Sequence, residues 1–154
     1  SETSSKAFST FKNAKRIGLI KSKITEFEAI HNLHQLEHIG IGYNSKMESI
    51  SWLRNNNSLT SLGFQNCKKI KDWEEIGSLG KIEKIILENC GEIPSLSFLQ
   101  NISSLKELRI IGSTSIGDGK IKELMHLPNL KHIFVPIKKE YDITLDELTA
   151  YNNN

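Results

Sequence analysis

Apolar residues in this chain recur in the frame L-x-x-L-x-L, and that frame returns at an almost fixed interval. It is met at Leu36, Ile39 and Ile41, then at Leu59, Leu62 and Phe64, and again at Ile82, Ile85 and Leu87. Leu105, Leu108 and Ile110 follow, then Leu130, Ile133 and Val135, with a weaker copy at Ala14, Ile17 and Leu19. Successive starts lie 22, 23, 23, 23 and 25 residues apart. A repeat of this length marks a stacked array, in which no unit buries its own apolar side and neighbours make the core continuous.

The second half of each unit has its own period, of three. It reads Ile24, Phe27, Ile30, Leu33, then Met47, Ile50, Leu53, then Ile70, Trp73, Ile76, Leu79, then Ile93, Leu96, Leu99, Ile102. The fifth unit gives Ile116, then Ile121, Leu124 and Leu127 after a two-residue insertion near "GDG". Period three suits 3₁₀ or short helical return segments, where residues i and i+3 eclipse. Asp72, with Glu75 three residues on, is expected to cap the segment that opens "DWEE". Each unit is then a strand, a turn and a helical return. Six strands paired in parallel make a sheet about 24 Å wide.

The eighth residue after each start is Ser22, Asn44, Cys67, Cys90, Ser113 and Lys138, mostly small and polar. With it the frame becomes L-x-x-L-x-L-x-x-N/C. Over about residues 14–138 the chain resembles the leucine-rich repeat family, bacterial type. The resemblance implies an α/β solenoid, with a curved parallel sheet on the concave face and 3₁₀ or short helical returns on the convex face. It also implies that Cys67 and Cys90 point inward and bond to backbone, with a disulfide between adjacent units as the alternative. The whole chain, 1–154, is read as one domain: an N-terminal cap over 1–13, six repeats over 14–138 and a C-terminal cap or tail over 139–154. Phe8 and Phe11 are candidates to cover the first unit. Thr144 or Asp146 is expected to start a short helix carrying Leu145, Leu148 and Tyr151.

Several function classes are disfavoured. Charge is nearly balanced, 20 Lys and Arg against 18 Asp and Glu, so nucleic-acid binding is not indicated. No apolar run approaches the roughly 18 residues of a membrane span. His31, His34 and His38 fall on a return segment, a turn and a strand, so they are not expected to share a metal. "GSTSIGDGK" lacks phosphate-loop spacing and reads as a bulge in the longer repeat. No Ser-His-Asp grouping, paired catalytic carboxylates or CxxC appears, so no enzyme, cofactor or metal is expected. Trp73 is in phase with the core. Trp52 is one residue out of phase and is expected to be partly exposed.

Alternate strand residues face opposite sides, so the residues two, four and six after each start line the concave face. Its N-terminal half carries Gly18, Gly40, Gly42 and Gly63. Its C-terminal half carries apolar Ile86, Ile111 and Phe134 beside Lys84, Glu88, Glu107, Arg109 and His132. With His38 and Tyr43 these are the candidate partner-binding residues, because outward apolar groups and an Arg on a polar face mark interfaces. The expected function is non-catalytic protein binding. Leucine-rich repeats occur among immunity proteins of bacterial polymorphic toxin systems, which makes a toxin one candidate partner. The alternatives are a surface or secreted adhesion domain resembling the internalins, with a host protein as partner, or a substrate-recruiting domain of a larger effector. A cytoplasmic location is favoured, and a secreted or surface one follows if the chain is part of a longer protein. A tail folded over the concave face is the competing fate of Phe134.

Overall fold

A computed structural model of the chain describes Phe8, residues 10–22, Ile24, residues 26–54 and residues 56–153. Its main element is a six-stranded parallel sheet. The strands are β1 (Arg16–Ile20), β2 (His38–Gly42), β3 (Ser61–Gln65), β4 (Lys84–Glu88), β6 (Glu107–Ile111) and β8 (His132–Phe134), in that order across the sheet. Two short strands, β5 (Glu92–Ile93) and β7 (Ser115–Ile116), pair in a second small sheet. The register follows the repeat: Leu62 stands between Ile39 and Ile85, and Ile85 beside Leu108. Because the side-chain period of a strand is two, this register sends every frame residue to the same side. From Leu36 to Val135 the frame residues are all buried, and those of β1, Ile17 and Leu19, are partly so.

Among the described residues five 3₁₀ segments run behind the sheet: Glu28–Asn32, Ser51–Leu53, Trp73–Ser78, Ser97–Leu99 and Lys122–His126. Their period-three residues pack inward, with Ile50, Leu53, Ile76, Ile93, Leu99 and Ile121 each 0% exposed. Asp72 does not cap its own segment. Its carboxylate reaches one unit back, accepting from the Ile50 backbone N–H at 2.9 Å and the Ser49 hydroxyl at 2.6 Å. Asp142 does the same at the far end, accepting from the N–H groups of Ile121 and Lys122. Orphan donors at the starts of these two segments are thus met from the neighbouring coil. Glu75 is buried instead, where Arg54 grips it through two hydrogen bonds. Trp52 is also buried, at 3% exposure, against the expectation of partial exposure. It lies over Phe27, ring centroids 5.2 Å apart, and Phe27 in turn meets Phe8 at 6.3 Å.

In the second, third and fourth units the inward polar position ties the coil to the one before. Cys67 Sγ donates to the Ile41 carbonyl, Cys90 Sγ to that of Phe64, and Asn44 Nδ2 to that of Ile24. Both cysteines are free thiols. Burial pushes the Cys67 thiol up and that of Cys90 to about 11. In the fifth unit the position is taken by Thr114, not Ser113. Thr114 Oγ1 donates to the Leu87 carbonyl and accepts the Cys90 N–H, while Ser113 is exposed. Gly112, at φ 64°, keeps the left-handed place that Asn89 holds in the unit before, and Ser113 is the added residue that delays the slot by one, its N–H turned to Asn89 Oδ1. The "GDG" insertion is a bulge in which Gly119, at φ 65°, accepts the Asp142 N–H.

At the N-terminal end Phe8 covers the column, whereas Phe11 is 55% exposed and does not. At the C-terminal end a helix, α1 (Leu145–Asn152), is started by Thr144 in a capping box with Glu147. Leu148 is buried, Tyr151 half-buried and Leu145 exposed. Asn152 stands in for a seventh strand: its side-chain amide accepts from Ile133 N–H and donates to Ile133 C=O, both at 2.8 Å. The edge of β8 is thereby closed, one answer to the hazard of an open edge. The tail stays at this edge, and Phe134 remains 40% exposed rather than covered.

Lys122 and the Thr144 backbone and hydroxyl hold the Glu147 carboxyl down at about 2. A depressed carboxylate stabilises the folded state above its ordinary value and loses that contribution as pH falls through its folded value. Thermal midpoints of wild type and Glu147→Gln, compared across pH, are therefore expected to differ at pH 6 and to converge between about pH 4.5 and 2. A gap that persists at pH 2 would contradict the capping role.

Candidate functional site

The outward side chains form rows across the sheet, because partners in register share a face. One row contains Lys84, Glu107 and His132, and the next Ile86, Arg109 and Phe134. Glu107 joins the two rows. It accepts a hydrogen bond from Arg109 and an ion pair from Lys84 at 3.3 Å. Burial pushes the Glu107 carboxyl up, but the hydrogen bonds and charges of Arg109 and Lys84 outweigh this and hold it below the usual range. The Arg109 guanidinium lies over the Phe134 ring, 4.5 Å from its centroid, and His132 stacks on the same ring at 6.2 Å. Five candidate residues thus form one cluster in which each holds another's rotamer. Ile86 and Ile111 flank it, half-buried, and Glu88 accepts from Gln65 Nε2 at 3.0 Å.

His38 and Tyr43 stand apart, in the N-terminal half. His38 shares a row with Arg16 and Ser61. Tyr43 follows β2 and is 46% exposed. It belongs to a row whose backbone is left-handed throughout: Lys21, Tyr43, Asn66 and Asn89 have φ between 51° and 58°, and Gly112 has 64°. The ladder imposes this, since each N–H at Lys21, Tyr43, Asn66 and Asn89 donates to the next strand's carbonyl. Asn and Gly tolerate that conformation, whereas Lys and Tyr adopt it at a cost of about 1–2 kcal/mol. Lys21 sits over the Tyr43 ring at 5.8 Å.

Beside Tyr43 lies an open trough of about 280 Å³, floored by Gly18, Gly40 and Gly63 and walled by Ile20, Gln65, Ile86 and Glu88. Ile20 is 73% exposed. Alternation puts Ile20, six after Ala14, on the outward face, but neither Ile20 nor Lys21 is among the candidate partner-binding residues. The signal that finds Lys21 is the left-handed row, where a lysine and a tyrosine replace the Asn and Gly of later units. Among the described residues no group of three or more His, Cys, Asp or Glu side chains is placed to hold a metal. No described helix is long and apolar enough to cross a membrane.

No protein-family model and no curated protein matches the sequence. Solved structures do match. An internalin C2 from Listeria monocytogenes superposes with a TM-score of 0.55 at 17% identity, over 78% of this chain and 60% of that one. An internalin, InlF, from the same organism gives 0.53 at 18% identity, over 84% and 42%. A leucine-rich repeat protein from Leptospira interrogans gives 0.62 at 19% identity, over 87% and 34%. The chain therefore spans between about a third and three-fifths of the length of these proteins. The repeated frame, the in-phase parallel register and these likenesses together make the chain a leucine-rich repeat solenoid of the fold found in these bacterial proteins.

Proposed function

We propose that this chain is a non-catalytic module that binds a protein partner through the concave face of its sheet. The observation that carries this is the cluster of Arg109, Phe134, His132, Glu107 and Lys84. An aromatic ring held between an Arg and a His, on a face with further outward apolar groups, has the make-up of a binding hot spot. Its side chains are already ordered, which reduces the entropy lost on association. A free ion pair at the surface contributes little to stability, so the network is better explained as preorganisation for a ligand than as a fold requirement.

The finer reading is an immunity protein that occupies a bacterial toxin. Its rival is an adhesion domain, favoured by the fold likeness to two internalins. The test is affinity capture from a lysate of the source organism and from a host-cell lysate, with wild type against Arg109→Ala/Phe134→Ala. Wild type should retain one stoichiometric protein. The double variant should bind it at least tenfold more weakly, about 1.4 kcal/mol or more, with unchanged thermal midpoint. Equal retention by both forms removes the concave site. A retained toxin-like protein supports immunity, and a retained host surface protein supports adhesion.

A further inference from the structure

We propose that the N-terminal half of the concave face is the docking site for an acidic segment of a protein partner that inserts one bulky apolar side chain. This deepens the reading of the concave face as a partner-binding surface and rests on it.

Charge identifies the occupant. Arg16 and Lys21 are exposed on and just after β1, the strand whose Gly18 and Ile20 line the trough, and neither forms an ion pair among the described residues. By contrast, the cations of the other half, Lys84 and Arg109, are both compensated by Glu107. On the concave face the cations at β1 are thus left without an ion pair while those of β4 and β6 are paired, and an acidic partner supplies the complement. A nucleic acid would need a longer basic track along its backbone than two cations. Here the trough ends on a carboxylate, Glu88.

Shape identifies the anchor. The trough holds about 280 Å³, slightly below the roughly 300–1,000 Å³ of small-molecule pockets and enough for one large side chain. Ile20 on its wall is exposed, as is Tyr43, the chain neighbour of lining residue Gly42, and such apolar surroundings exclude water from an inserted anchor. Nothing inside the chain requires the open floor. A Cβ added at Gly18 or Gly40 meets no atom within 4 Å, and one at Gly63 meets only the Ile86 carbonyl at 4.0 Å. Tyr43 is held in a backbone conformation that Asn or Gly would accept more easily. An exposed ring kept there at a cost to stability is explained by a contact outside the chain.

The test is selection of a random peptide library, displayed on phage, against the chain of residues 1–154. Selected peptides are then titrated against Gly40→Ile, Tyr43→Gly and Arg16→Glu/Lys21→Glu. Gly40→Ile places in the second unit the residue that the fourth carries in the same row, Ile86. The selected peptides should be net negative with one Phe, Trp, Leu or Met in common, and each variant should weaken them at least tenfold. Gly40→Ile and Tyr43→Gly should melt no lower than wild type, so that lost binding is not lost folding. Neutral or basic peptides, or peptides indifferent to Gly40→Ile, overturn the proposal. So does displacement of the peptides by a single-stranded oligonucleotide at equal charge concentration. Light scattering that shows a dimer dissolved by Gly40→Ile makes a second copy the occupant and also overturns it. If peptides or the captured partner are lost on Arg109→Ala/Phe134→Ala but not on Gly40→Ile, the concave reading stands and this one falls. Indifference to both sinks the two together.

Discussion

Replacing Trp52 with alanine is expected to destabilise the protein by about 3–5 kcal/mol, the cost of emptying a large aromatic site in a packed core. The ring is 3% exposed and stacks on Phe27, at 24° between planes, in the preceding unit. Phe8 packs on the other side of Phe27. Loss of Trp52 therefore opens a cavity next to the terminal cap, where a solenoid has neighbours on one side only. Trp52→Phe should be much milder. It keeps a ring in the stack and removes the Nε1–H, which is buried without a hydrogen-bond partner among the described residues. Urea unfolding followed by the remaining Trp73 measures both. A surface tryptophan would give a change within about 0.5 kcal/mol, and that outcome would restore the exposed reading.

Thr114→Val is expected to cost about 2–6 kcal/mol without creating a cavity, because two buried backbone groups lose their partners at about 1–3 kcal/mol each. The Cys90 N–H donates to Thr114 Oγ1 at 3.0 Å, and the hydroxyl donates to the Leu87 carbonyl at 3.2 Å. Thr114 is 1% exposed, so water does not replace either bond. Ser113→Ala, one residue earlier, should stay within about 0.5 kcal/mol. Its backbone N–H keeps its bond to Asn89 Oδ1. The pair of variants separates the two assignments of the inward slot directly. Equal effects, or a larger effect at Ser113, would put the wrong residue in the ladder.

The repeat frame was legible because strand and 3₁₀ periods are local properties. Apolar positions at a constant interval leave a stacked parallel sheet as the way to bury them all. The same counting put Lys84, Ile86, Arg109 and Phe134 on the outward face, since alternation along a strand needs no knowledge of neighbours. The errors share a cause, contacts between units. Asp72 has the sequence look of a local cap, yet it serves Ile50 in the unit before. Trp52 is out of phase within its own segment but in contact with Phe27 of another. Thr114 displaces Ser113 because Ser113 turns out to Asn89 Oδ1 and leaves the inward slot to the next residue.

Phe11 and Phe8 show the limit at the ends, where no repeat supplies a template and one ring is buried while the other is 55% exposed. Asn152 is a further case: nothing in "AYNNN" announces that its amide will take the place of a strand beside Ile133. Periodicity alone thus settled the architecture, the strand register and which side chains face outward, because each follows from the geometry of one unit repeated. Tertiary contact alone decided which outward residues act together. The Arg109–Phe134–His132 cluster and the Ile20–Tyr43 trough exist only because parallel pairing brings residues 22 to 25 positions apart in sequence to adjacent strands.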